Sequence, residues 1–120
     1  MAAHGPYSCG LDAALDVVGG KWKSLILWAL AEHGTLRFGE LRREVVGITE
    51  KMLIQQLRQM EADGLIHREV HQQVPPKVEY SVTGFGDSLN TALGPLGDWG
   101  ERHMDRITNR GTAQAEPTNA

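Results

Sequence analysis

The chain has 120 residues, of which 41% are hydrophobic, with 15 acidic against 12 basic side chains and a formal net charge of −3. This length is enough for one hydrophobic core, the apolar content excludes an intrinsically disordered chain, and no apolar run approaches the length of a bilayer span. The charge sum excludes a uniformly basic nucleic-acid binder, so any such face has to be local.

Residues 1–10 are polar and marked by Gly and Pro, which predicts an arm rather than a core element. The opening M-A-A-H-G-P-Y-S-C has neither the basic start nor the apolar stretch of a secretion signal, so the expected location is the cytoplasm. Cys9 is the only cysteine, which rules out an intrachain disulfide. By itself it reads as a small apolar side chain, reactive only if its thiol pKa is lowered and solvent reaches it.

Leu11, Ala14, Leu15 and Val18 fall at helical spacing and predict a short first helix that Gly19 and Gly20 interrupt. Helical periodicity resumes over Lys21 to Glu32, with Trp22, Leu25, Ile26, Ala29 and Leu30 on one apolar side, and Gly34 ends it. Leu36 to Phe38 reads as a short extended piece. A third helix follows, with Phe38, Leu41, Val45 and Val46 as its apolar period, and Gly47 supplies a turn.

The stretch Ile48 to Leu65 carries the strongest pattern. Thr49 is placed to cap a helix, Glu50 suits its positive N-terminus and Gly64 its stop. At about 100° per residue Leu53, Leu57 and Met60 share one side, with Gln56 at its margin, while Lys51, Gln55 and Arg58 share the other. Helix, Gly-containing turn and helix is the helix-turn-helix order, in which the second helix enters the major groove. Gln55, Gln56, Arg58 and Lys51 are therefore the candidates for reading base edges, because amides and guanidinium match adenine and guanine edges. Arg37, Arg42, Arg43 and Thr49 are candidates for phosphate.

From Leu65 the period changes to that of strands. Leu65, Ile66 and Val70, then Val78, Tyr80 and Val82, flank the tip Gln72 to Lys77 with Pro75 and Pro76, predicting a two-stranded wing with contacts from Gln73 and Lys77. His67 and His71 lie in this strand period without a third ligand, so neither a metal nor a cofactor is expected. Thr83 is placed to cap the last helix. Its apolar stripe, including Leu89, Leu93, Leu96 and Trp99, exceeds what so small a domain needs for itself, and with Leu11 and Leu15 it predicts a homodimer interface. Gly94, Pro95 and Gly97 predict a kink or break near Pro95. Residues 108–120 are polar and aperiodic, so disorder is expected there.

The runs G-G-K-W at Gly19 to Trp22, L-R-F-G-E-L-R-R at Leu36 to Arg43, K-M-L-I-Q-Q-L-R at Lys51 to Arg58, E-A-D-G-L-I at Glu61 to Ile66 and V-P-P-K-V-E-Y at Val74 to Tyr80 together resemble the HxlR-type winged helix-turn-helix transcriptional regulators. The resemblance implies an α+β, mostly helical fold: a winged helix-turn-helix over residues 11–107 with extra N- and C-terminal dimerisation helices. It implies a homodimeric bacterial repressor or activator, not an enzyme, on a pseudo-palindromic double-stranded DNA operator. Some members of the family sense oxidants, quinones or aldehydes through a cysteine before the first helix, where Cys9 stands. Three competing readings are a ligand-responsive regulator with an inert Cys9, a protein-interaction module that does not bind DNA, and a small redox enzyme. The last needs a base or second thiol beside Cys9.

Overall fold

The computed structural model describes residues 5–111. The chain runs α1 (Gly10–Val18), α2 (Lys21–His33), β1 (Leu36–Arg37), α3 (Phe38–Glu44), α4 (Glu50–Ala62), β2 (Ile66–His71), β3 (Lys77–Val82), α5 (Gly84–Arg102) and α6 (Met104–Thr108). It divides into two compact units, residues 1–90 and 91–120, with the division falling inside α5.

The core of the first unit is the set of side chains that helical periodicity places inward. Ile26, Leu27 and Leu30 of α2, Leu41 of α3, Leu53 and Met60 of α4, and Leu65 just after it are almost wholly withdrawn from solvent. Each full burial of such a side chain is worth about 1.5–3 kcal/mol. Val45, Ile48 and Leu57 close the gaps between the helices. Leu25 and Trp28, by contrast, remain substantially exposed on α2.

The helix-turn-helix pair is delimited by backbone chemistry. The Val45 amide donates to the Leu41 carbonyl at 2.9 Å and ends α3. The helical period therefore stops before Val46, which is 83% exposed and takes no part in the core expected of it. Gly47 has φ 92°, a conformation that costs a side-chain-bearing residue about 1 kcal/mol or more. α4 then begins on the Thr49 cap, whose hydroxyl accepts from the Met52 amide at 3.1 Å.

At its other end α4 closes in a Schellman pattern. The Leu65 amide donates to the Met60 carbonyl at 2.9 Å and the Gly64 amide to the Glu61 carbonyl at 3.0 Å, with Gly64 at φ 78°. Leu65 and Met60 are both buried there. The chain is thus turned directly into β2.

β2 and β3 pair antiparallel from Ile66 with Val82 to His71 with Lys77, forming the wing. A third strand joins them: β1 pairs with β3 through Leu36 with Tyr80 and Arg37 with Glu79, so the sheet order is β1-β3-β2. Phe38, expected in the extended piece, instead opens α3.

Thr83 ties the wing to α5. Its hydroxyl donates towards the Gly64 carbonyl at 2.6 Å and the Leu65 carbonyl at 3.1 Å, and accepts from the Gly86 amide at 3.0 Å. Its own amide donates to the Leu65 carbonyl at 3.1 Å. Gly86 lies so close that an added Cβ would fall 2.0 Å from the Leu65 carbonyl oxygen.

Of the kink or break expected near Pro95, the break does not occur: α5 continues through it. The residue before a proline avoids the helical region partly because its Cβ meets the proline ring, and Gly94 has no Cβ. In the second unit Trp99 and His103 stack with ring centroids 4.8 Å apart, and His103 Nδ1 lies 2.8 Å from the Trp99 carbonyl. The chain leaves α5 there for α6, which carries the helical part on to Thr108, inside the region expected to be tail. Gly10 likewise belongs to α1 rather than to the arm. The expectation of disorder over 112–120 lies outside the described residues.

Gly86→Ala should destabilise the protein by about 3 kcal/mol or more, because the obstacle is a backbone carbonyl rather than a movable side chain. Urea denaturation of the two proteins measures this; an unchanged midpoint would disprove the packing.

Candidate nucleic-acid interface

α4 presents two chemically different faces. Leu53, Leu57 and Met60 are buried against α2 and the sheet, Gln56 is half-buried at the margin, and Lys51, Gln55 and Arg58 are exposed. Among the described residues no carboxylate pairs with Lys51, Arg58 or Arg43. Their charge is uncommitted and faces solvent.

The carboxylates near this face are engaged elsewhere. Glu50 pairs with Arg42 Nη1 at 3.6 Å across the turn between α3 and α4. Glu40 accepts from the Arg37 amide at 2.8 Å and caps α3. Glu44 meets His33 at 3.0 Å on the far side of α3. Glu61 holds Arg68 Nε at 3.3 Å, joining the last turn of α4 to β2. Local basicity on a net acidic chain thus arises from which acids are occupied.

The structure brings Thr49, Lys51, Gln55 and Arg58 together on one helix and sets Arg42 and Arg43 on the preceding one. Gln73 sits exposed at the wing tip. Lys77 differs: at the base of the tip it lies 3.5 Å from Glu79 Oε2 and is only 27% exposed. His71 Nε2 bonds the other oxygen of the same carboxylate at 2.8 Å. That bond, with the Lys77 charge, holds the Glu79 carboxyl below its ordinary range.

Cys9 lies apart from this face, exposed, as the N-cap residue of α1. At this helix N-terminus the backbone amides of Asp12 and Leu11 draw the thiol pKa below its ordinary value. Ser8 bonds Asp12 Oδ2 through its amide at 3.1 Å and its hydroxyl at 3.2 Å. Tyr7 donates its phenol to Asp16 Oδ2 at 2.5 Å, which pushes the phenol pKa up to about 12. The arm is therefore fastened on both sides of α1's first turn. Sequence pattern did not reveal these ties, because Asp12 simply suits the positive first turn of a helix and Asp16 reads as ordinary solvated surface.

The HxlR-like helix-turn-helix family model matches residues 17–108. The chain belongs to that family. It is 50% identical over 99 residues to the HTH-type transcriptional regulator YdeP of Bacillus subtilis (strain 168), covering 82% of this chain and 77% of YdeP. Among solved structures it is similar to the redox regulator HypR in its reduced form, with a TM-score of 0.77 and 46% identity over 84% of this chain and 99% of that one. The oxidised form of HypR matches with a TM-score of 0.73 and 49% identity, over 78% and 96%. The protein is a winged helix-turn-helix transcriptional regulator of the HxlR type, and DNA is its partner. No helix among the described residues is long and apolar enough to cross a membrane.

Two measurements test this HxlR-type site. Arg58→Ala should weaken binding to the cognate duplex by about 1–3 kcal/mol and Lys51→Ala should lower the salt slope by about one; unaltered titrations would remove either residue from the interface. The pH profile of Cys9 alkylation by iodoacetamide should have its midpoint below the ordinary thiol value of 9.0; a midpoint at or above it would show that the α1 amides do not stabilise the thiolate.

Proposed function

We propose that this HxlR-type protein is a homodimeric repressor that reads a pseudo-palindromic operator with one α4 per half-site and changes its grip when Cys9 is oxidised or alkylated. The observation that carries the DNA-reading part is the outer face of α4, where Lys51, Gln55 and Arg58 stand exposed and the cations have no carboxylate partner among the described residues. Gln55, Gln56 and Arg58 read base edges. Lys51, Arg37, Arg42, Arg43 and the α4 N-terminus at Thr49 hold phosphates, and the wing that carries Gln73 and Lys77 lies against the duplex beside them.

Dimerisation is supported by apolar surface that the chain leaves uncovered. Leu11 and Leu15 of α1 are 68% and 58% exposed, and Leu96 and Trp99 of α5 are 63% and 50% exposed. α1 has no buried residue at all. Leu89 and Leu93 are half-covered already and extend the same stripe. A second copy is the simplest cover, and it supplies the second recognition helix that a two-half-site operator requires.

The thiol switch is supported by the exposure and lowered pKa of Cys9, and by similarity to a redox regulator solved in reduced and oxidised forms. Two Cys9 thiols, one from each protomer, would surrender two protons and two electrons to an oxidant such as diamide and close one intersubunit disulfide. A quinone or aldehyde would instead add to a single thiolate. Either event at the foot of α1 would reorient the paired protomers, and recognition helices out of register with successive grooves lose a half-site.

Titration of the protein against the DNA upstream of its own gene, with and without diamide, for wild type and Cys9→Ser, tests both parts. Specific binding is expected in both proteins, with diamide changing the affinity of wild type alone by about tenfold or more. Absence of specific binding would overturn the operator reading. Specific binding indifferent to diamide would overturn the switch and favour a ligand instead, for which the open cavity of about 640 Å³ lined by Tyr7, Asp16, Lys23, Asp63 and Phe85 offers one place.

A further inference from the structure

The wing tip is chemically unlike the rest of the DNA-facing surface. Between His71 and Lys77 it reads Gln72, Gln73, Val74, Pro75, Pro76, without a formal charge. Val74 is 99% exposed, and Val70 behind it is half exposed. An apolar side chain at the apex of a hairpin gains nothing from the fold, since it buries no area there. Two prolines follow it and fix φ near −65°, which makes the projection stiff.

Nor is the tip an electrostatic clamp. The cation nearest in sequence, Lys77, is paired with Glu79 and largely covered, and His71 bonds that same carboxylate. The wing is tied to the end of α4 by the Leu65 and Thr83 hydrogen bonds, with the Arg68–Glu61 pair between β2 and the last turn of that helix added to them. A rigid, uncharged, apolar point at a fixed offset from a major-groove helix suits one part of a duplex, the floor of the adjacent minor groove. Apolar side chains there press between base steps and kink the helix, and nearby amides bond to the N3 and O2 acceptors.

We propose that Val74, backed by Pro75 and Pro76, is a minor-groove wedge that bends the operator and selects A·T pairs at positions α4 does not touch, with Gln72 and Gln73 bonding at its flanks. This rests on the operator reading above. The selectivity follows from shape: the guanine N2 amino group rises from the minor-groove floor into the volume the valine occupies, whereas A·T pairs leave it open.

The test uses the full chain and the duplex it protects from hydroxyl radical within its own upstream DNA. Because Val74 is fully exposed, Val74→Ser should keep the wild-type thermal midpoint. It should bind that duplex about 5- to 10-fold more weakly, as expected for one valine returned to water, with an unchanged salt slope and a smaller bend by circular permutation. In wild type, replacing flanking A·T pairs by G·C should weaken binding, whereas inosine·cytosine, which keeps the A·T minor groove while presenting a G·C-like major groove, should not. Val74→Ser should lose this discrimination. Equal affinity and bend for Val74→Ser and wild type, or inosine·cytosine behaving like G·C, would overturn the wedge while leaving the α4 reading intact, and the second result would put the discrimination in the major groove. Failure to protect any duplex would overturn the operator reading and the wedge with it.

Discussion

Thr83 is the residue on which the placement of the reading surface depends. Its hydroxyl and amide together satisfy carbonyls at Gly64 and Leu65 and receive the Gly86 amide, so the end of α4, the end of the wing and the start of α5 meet at one half-buried junction. A backbone group withdrawn from water at such a meeting, as at Leu65, would cost about 1–3 kcal/mol if left unpaired. Gly86 is the complement of this arrangement, since only a residue without a Cβ can bring α5 onto the Leu65 carbonyl.

With that junction set, the remaining structure divides its charges between holding and reading. Glu50, Glu61 and Glu79 are each occupied by a basic neighbour that links two elements: α3 to α4, α4 to β2, and the two strands of the wing. Exposed pairs of this kind contribute little stability individually, typically under about 1 kcal/mol. Their larger effect is to remove negative charge from the field over α4, which leaves Lys51, Arg43 and Arg58 uncompensated on a chain whose net charge is −3. The Thr83 and Leu65 bonds at the end of α4, more than the exposed ion pairs, set the offset between helix and wing that a two-groove reader needs.

Much of this was legible beforehand because it depends on local rules. The Thr49 cap, the inward set Leu53, Leu57 and Met60, the Gly64 stop and the outward set Lys51, Gln55 and Arg58 all follow from a 3.6-residue period bounded by cap chemistry, and the structure places every one of them accordingly. The Pro-marked hairpin and the Thr83 cap were equally visible. Pairing of β1 with β3 was not, because two residues, Leu36 and Arg37, carry no period and their partners lie more than forty positions away. Val46 misled by continuing an apolar pattern past the point where the Leu41 carbonyl ends the helix. The break expected at Pro95 does not occur, and Gly94 before it removes one of the clashes that disfavour a helical proline.

The sequence by itself determined which segments are helical or extended, which face of α4 is apolar and which is basic, and that one thiol precedes the first helix, since these depend on residues within a few positions of each other. Only the tertiary structure decided which charges remain free, and that Lys77 is bound to Glu79 while Val74 stands bare. Those outcomes depend on distances of 3 to 4 Å between groups whose side-chain rotamers and strand register are set by packing, and no local periodicity encodes such distances.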